Sequence, residues 1–466
     1  MSGTSGHDEA AGRFLHDPIG RLLVRNCGPA MVSMLVMALY QMVDGAMVGR
    51  RLGPDALAAV NILYPVVALL VGLAVMIGVG GNARVAVLLG AGRVREARGV
   101  FSLAVALGTG VGVAGTAAVM LLATPLTSAL GASDAVIDLA RSYLLTMAPF
   151  FPAYILSFIF DQAVRNDGRA GFATVVMASG AVLNIALDYL FLFVLDMGIA
   201  GAALASAIGQ GFTATCFAGY FVVKSVRRRS GLRFARPSGG VAAVLSIAAN
   251  GSSELLGSLA LGVVTLMFNR ALMGHLGAIG VAAFAVLQYV LMLAVVFFNA
   301  LGTGSQPIVS RNYGAGLQSR VGTTLKLLLG AGCAIGFGLG AAAHAAAGTV
   351  ASVFVPGHPE AVAIAAGAIR IVAWSIPAAA IGTIGSMFFT SIERAGMSFA
   401  IAALRGLIVP VVSLAVAPLV WGVTGIWLVP LVTELAGAAL TVILLARWAR
   451  AGARQQPAVD TAVTAA

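Results

Sequence analysis

Apolar runs long enough to cross a bilayer recur along almost the whole chain, separated by short polar stretches, and this recurrence limits the possible folds more than any single motif. A helix of about 20 apolar residues spans the roughly 30 Å of bilayer hydrocarbon, where every backbone polar group must be paired within its own segment. Twelve such helices are predicted, near 23–49, 55–80, 99–123, 136–163, 170–195, 198–223, 243–270, 278–306, 322–350, 361–391, 398–420 and 424–447. With 60% hydrophobic and 10% charged residues and a mean hydropathy of +0.99, a soluble globule is excluded. The fold class expected is an all-α polytopic membrane protein.

The net charge of +11 does not indicate a nucleic-acid partner, because Lys and Arg cluster between the apolar runs. Apart from Arg50, Arg51, Arg141, Arg270 and Arg370, all of the 28 fall on one side of the predicted bundle. By the positive-inside rule that side is cytoplasmic, with both termini, and the chain is a multi-pass protein of the plasma (inner) membrane. The first twenty residues are polar, with Asp8, Glu9 and Arg13, and do not read as a cleavable signal; the first helix is expected to direct insertion. Cys27, Cys216 and Cys333 lie in or beside apolar segments without a C-x-x-C spacing and read as packing residues.

The two halves resemble each other. Leu52-Gly53 recurs as Leu276-Gly277, Gly78-x-Gly80 as Gly302-x-Gly304, Gly90-Ala91-Gly92 as Gly314-Ala315-Gly316, and Gly198 and Gly201 as Gly422 and Gly425, always 224 positions on. A six-helix unit used twice enters from the same side each time, so the repeats are parallel and enclose a V-shaped central cleft. The predicted organisation is an N-terminal tail 1–20, a lobe 21–224, a basic linker 225–240, a second lobe 241–450 and a C-terminal tail 451–466, as a monomer. The glycines permit close helix packing, and that reading is preferred to ligand contact. No flank resembles a nucleotide-binding loop. An ion gradient must therefore supply the energy of any active transport, and no cofactor or enzymatic chemistry is expected.

One helix carries an unusual cost. From Ala170 to Leu195 the sole charged residue is Asp188, and a carboxylate at membrane depth costs about 3 kcal/mol or more, so such residues mark ion or proton pathways. Asn184 lies one turn before it, on the same face. Asp188 and Ser206 are each nine residues from the tight connection at Met197, about 13 Å along antiparallel helices, and Asp44 is nine residues before Gly53 on the same side. Asp44, Asn184, Asp188 and Ser206 can thus share one level. Two carboxylates, an amide oxygen and a hydroxyl suit Na⁺, or a carboxylate pair sharing a proton; Asn184 and Ser206 could equally make ordinary interhelical hydrogen bonds. At the repeat offset, the second half has Phe268, Ile408, Val412 and Pro430.

Two more acids, Glu254 in the seventh helix and Glu434 in the twelfth, are expected near the midplane, as protonatable or substrate-recognising groups facing the cleft or as protonated acids bonded between helices. Asp161, Arg165, Asp167, Glu393 and Arg394 fall at cytoplasmic helix ends and read as boundary or gate residues.

These motifs together resemble the multidrug and toxic compound extrusion (MATE) transporters, prokaryotic type. The residues carrying the resemblance are Val43-Asp44-Gly45, Leu52-Gly53 to Ala58-Ala59, the Gly78 and Gly90 motifs, Asn184-x-x-x-Asp188, Gly198-x-x-Gly201-Ala202-Ala203-Leu204-Ala205-Ser206, and Gln306-Pro307 with Asn312-Tyr313-Gly314. The resemblance implies two six-helix lobes and secondary active efflux of amphipathic, often cationic drugs in antiport with Na⁺ or H⁺ by alternating access. It places the ion site on Asp44, Asn184, Asp188 and a hydroxyl residue, usually Thr and here Ser206. The family's other ion site, in the second lobe, is matched only by Glu254. A lipid or lipid-linked oligosaccharide flippase of the same superfamily is the alternative.

Overall fold

In hydrocarbon every backbone polar group must be paired within its own segment, which makes each apolar run a helix despite internal prolines such as Pro29 and Pro307; among the described residues 12–130, 134–227, 230–354 and 359–455 the computed structural model has twelve membrane-length helices and no strand. The tail segments 1–11 and 456–466, and Arg228 and Arg229 of the linker, lie outside those residues. In chain order the helices are α1 (Ile19–Leu52), α2 (Tyr64–Gly90, entered through the short helix Pro54–Ile62), α3 (Val94–Ala129), α4 (Val136–Asn166), α5 (Ala170–Val194), α6 (Gly198–Val226), α7 (240–276), α8 (278–314), α9 (Gln318–Ala345), α10 (Pro359–Ser391), α11 (395–421) and α12 (423–455). Several are longer than the hydrocarbon layer requires and project beyond it.

The repeat is visible in the backbone. The chain reverses between α1 and α2 at Gly53 (φ 84°) and between α7 and α8 at Gly277 (φ 64°). It reverses between α5 and α6 at Gly198 (φ 62°) and between α11 and α12 at Gly422 (φ 56°). Each φ lies in the left-handed region, which a Cβ disfavours, so glycine at these turns fixes where these four hairpins end. α1–α6 form one lobe around Phe101, Phe160, Phe217 and Phe221, and α7–α12 form a second, whose core includes Phe268, Phe284 and Trp427. Large apolar side chains such as Leu121 (81% exposed) and Leu419 (85%) point away from both cores, as lipid-facing residues do.

The lobes meet along a seam at their arginine-rich end, and the seam obeys the same two-fold relation. A Cβ on Gly80 would stand 2.8 Å from Gly251 N, and one on Gly304 would stand 2.7 Å from Cys27 Cα; residues 27 and 251 are themselves repeat partners. Gly90 likewise abuts Arg311 O (2.1 Å from a built Cβ) and Gly314 abuts Val87 O (2.0 Å). Asn82 and Gln306, 224 positions apart, bond to one another at 3.0 Å and so lie on the pseudo-axis. The sequence reading of these glycines as packing residues is thus met by backbone-to-backbone approach between lobes.

Lobe-to-lobe hydrogen bonds gather at the same end. Arg84 pairs with Glu393 at 2.9 Å, and Arg311 donates to Asn166 O at 2.6 Å. Phe14, in the helical turn 12–16, packs on Leu22 and Ile308 and lies under the Arg311 guanidinium, 4.7 Å from its ring centre. The described part of the linker is fastened to the first lobe, where Arg98 donates to Gly231 O at 2.8 Å and Ser102 Oγ accepts from Ala235 N at 2.9 Å, while Asp167, at the end of α4, takes an ion pair from Lys224 and a hydrogen bond from Tyr220 of α6. Asp167 and Glu393 therefore fix ends and seam, as their helix-end positions led one to expect.

Candidate functional site

Asp44, Asn184, Asp188 and Ser206 converge inside the first lobe, on α1, α5 and α6. Asp188 is fully buried and Asn184 is 3% exposed. With its amide oriented to satisfy both ends, Asn184 donates from Nδ2 to Asp188 Oδ2 (3.2 Å) and accepts at Oδ1 from Ser206 N (3.1 Å) and Ser206 Oγ (3.3 Å). The amide thereby ties α5 to α6 and turns the Asp188 carboxyl toward α1, where it lies within hydrogen-bonding reach of the Asp44 carboxyl. Equal depth, inferred from nine-residue spacings to two different turns, corresponds to real contact.

Two oxygens of this cluster, Asp44 Oδ1 and Asp188 Oδ1, are buried without a donor. Carboxylates placed side by side in a low-dielectric lobe repel, and an unpaired buried acceptor forfeits its hydration. A proton shared between them, or a cation held by both, removes both penalties. The donor set fits an alkali ion: two carboxylates with an amide and a hydroxyl beside them, and no sulfur or imidazole. Among the described residues no three His, Cys, Asp or Glu side chains group to hold a metal.

The site is larger than the four residues. Tyr40, one turn before Asp44 on α1, and Gln210, one turn beyond Ser206 on α6, face the same space, and Ser157 on α4 donates to Gln210 Oε1 at 2.9 Å. Tyr40, Asn184, Ser206 and Gln210 line a small pocket, with Met37 and Thr213 among its other walls. Extending each candidate by one helical turn on its own face would have found Tyr40 and Gln210 from the sequence. At the outer end Arg51 donates to Leu192 O (3.1 Å) and pairs with Asp196 (3.0 Å), joining α1 to the end of α5 above the site.

The second-lobe acids stand apart from this cluster. Glu254 is on α7, on the turn between Gly251, which meets Met76 of α2, and Ser258. Its carboxylate has no hydrogen-bond or ion-pair partner among the described residues, while Ser258 Oγ bonds only its backbone carbonyl. Glu434 is on α12 and forms an ion pair of 2.8 Å with Arg405 of α11. Arg405, grouped by the sequence with the cytoplasmic boundary, is instead ten residues inside α11, because its charge is satisfied within the lobe and does not need the water boundary.

The counterpart positions also need correcting. α5 begins at Ala170 and α11 at Ala395, an offset of 225 (395 − 170), and the π-helical turn Leu404–Ile408 then inserts one more residue into α11. Ile408 and Val412, named at offset 224, are 51% and 56% exposed and lie on the outer face. The buried counterparts of Asn184 and Asp188 are Pro410 and Leu414, at offset 226 (410 − 184 and 414 − 188). α1 and α7 contain no such turn, so Phe268 remains the counterpart of Asp44; it is buried and stacked on Phe284 with ring centres 4.7 Å apart. The polar cluster is absent from the second lobe in the corrected register too.

The family model MatE matches residues 29–190 and 255–443, in both lobes. The chain is similar to the multidrug export protein MepA of Staphylococcus saprophyticus, with 27% identity over 285 residues, 61% of this chain and 62% of that protein. It is similar to MepA of Staphylococcus aureus, with 26% identity over 306 residues, 66% of this chain and 67% of that one. The match thus spans about three fifths of the length of the S. saprophyticus relative. Among solved structures, an outward-facing multidrug resistance MATE family transporter of the MOP superfamily superposes with a TM-score of 0.89 at 23% identity, covering 98% of this chain and 100% of that one. A MOP superfamily transporter from Pyrococcus furiosus gives a TM-score of 0.88, also at 23% identity and with 98% and 100% coverage. With its model matched across both lobes, the chain belongs to the MatE family of membrane transporters, not to an enzyme family.

Proposed function

We propose that this protein is a secondary active multidrug efflux transporter, exporting amphipathic, cationic compounds by alternating access in antiport with Na⁺ or H⁺ bound at Asp44, Asn184, Asp188 and Ser206. One observation carries the reading: two adjacent buried carboxyls with unpaired oxygens, tied across three helices, need a positive charge. Neutralising them changes how α1 sits against α5 and α6, and that difference between states lets an incoming cation weaken the hold on cargo. The names of the MepA relatives support drugs as the cargo class.

In this reading the arginine-rich end is cytoplasmic, with both termini, and the seam there closes the protein inward while the cleft opens outward. The chain works as a plasma-membrane monomer, and the lipid bilayer is its only obligatory surroundings. The test has two arms. In a strain lacking its own exporters, the gene should lower susceptibility to cationic drugs without changing levels of lipid-linked precursors. Proteoliposomes carrying Na⁺ and pH gradients separately should then show drug efflux driven by at least one of them. Accumulated lipid precursor on deletion, with unchanged drug susceptibility, would favour the flippase instead.

A further inference from the structure

The second lobe does not leave the place corresponding to the first-lobe pocket empty. α6 and α12 both run unbroken from their glycine turns, Gly198 and Gly422, so Gln210 corresponds to Glu434 and Thr213 to Gly437. On α4 and α10 the paired Pro152 and Pro377 set an offset of 225 (377 − 152), which matches Ser157 to Gly382. At the offset of 225 with which α11 enters its π turn, Arg405 corresponds to Gly180, which lines the first-lobe pocket. The neutral Ser157–Gln210 bond of one lobe has become a guanidinium–carboxylate pair in the other.

Space has been made for that guanidinium. Its Nε and Nη2 each lie 2.8 Å from Glu434 Oε2. A Cβ on Gly382 would come within 2.7 Å of Arg405 Nε, and one on Gly437 within 2.2 Å of its Cγ. Any other residue at either position would displace the side chain. The π turn at Leu404–Ile408 sits at this depth only in the second lobe; that of α5 is at its outer end, Leu190–Val194. Such turns re-aim a side chain from a helix that is otherwise regular. Arg405 and Glu434 are 18% and 20% exposed, so the pair is neither sealed in nor at a free surface.

We propose that Glu434, Gly382 and Gly437 form a receptor for a guanidinium-type cation in the second lobe, filled by the chain's own Arg405, so that this position, the counterpart of the first-lobe pocket, supplies no coupling cation site. The consequence for mechanism rests on the first-lobe coupling reading; the receptor itself does not. Removing the tether should expose the receptor. Purified full-length Arg405→Ala in nanodiscs should be stabilised against heat by millimolar methylguanidinium in a saturable manner. Wild type should show no such response, and Arg405→Ala/Glu434→Gln should lose it. No response in Arg405→Ala, or the same response in the double variant, would overturn the proposal.

Glu434→Gln provides a second test in which Arg405 remains. Gradient-driven efflux should persist, while the unpaired, partly exposed guanidinium raises the KM for a dicationic drug several-fold more than for a neutral one. Loss of coupling in Glu434→Gln, or equal KM changes, would overturn the proposal through this variant even if Arg405→Ala does not fold. Retained coupling in Asp188→Asn would refute the first-lobe reading and leave the methylguanidinium result standing.

Discussion

The seam between the lobes and the interiors of the lobes follow opposite rules. At the seam, Gly80 against Gly251 mirrors Gly304 against Cys27, and Asn82 bonds to its own repeat partner, Gln306. Inside, Asp44 is matched by a stacked Phe268, Asp188 by Leu414, and the Gln210 pocket by an arginine that fills it. In the proposed mechanism the symmetric part opens and closes against itself, and a contact made twice about one axis can be released as a unit. In the proposed mechanism the asymmetric part responds to a cation in one lobe, and a duplicated core can lose its polar groups wherever apolar filling is cheaper than an intramembrane charge.

The comparison can be broken at several places. The largest effect belongs to Asp44→Asn, which should cut gradient-driven efflux at least tenfold, measured as drug flux in proteoliposomes, while Phe268→Asn leaves the ion dependence of the remaining flux unchanged. Next come Gly90→Leu and Gly314→Leu. Each places a side chain on a carbonyl about 2 Å away and should block closure of the seam, lowering efflux by roughly an order of magnitude and raising thiol labelling of cysteines placed at the seam. Because the contacts are mirror images, the two variants should match within about twofold, or 0.4 kcal/mol. A large inequality between them would deny that the seam is symmetric in function.

A smaller effect on transport is expected from Phe268→Ala. Loss of a buried stacked ring should lower stability by about 3 kcal/mol, read as thermal unfolding, without altering which gradient drives efflux. The smallest belongs to Arg84→Ala at the rim of the seam. Arg84 is 40% exposed, so its pair with Glu393 contributes only about 0.2–1 kcal/mol. Its loss should shift the inward–outward balance a few-fold at most, and less in high salt.

The twelve helices were legible because span length and glycine turns are local properties of the chain. The four polar residues were legible because two hairpins of known rise set a common depth. The position of Arg405 was not: a hydropathy window places an arginine by its intrinsic cost, and the Glu434 carboxylate that cancels that cost is 29 residues away. The register of α11 was hidden as well, since one added residue in a π turn leaves composition unchanged yet rotates everything after it. Asn82 and Gln306 could be seen as repeat partners, but only the packing of the lobes shows that the axis passes between them.

The division of labour between lobes is tested most directly by measuring drug efflux from proteoliposomes under Na⁺ and pH gradients applied separately, in Asp188→Asn and Glu434→Gln side by side. Asp188→Asn should lose the response to both gradients, and Glu434→Gln should keep the wild-type choice of driving ion. Gradient-driven efflux that survives Asp188→Asn but fails in Glu434→Gln would place the coupling site in the wrong lobe and contradict the account.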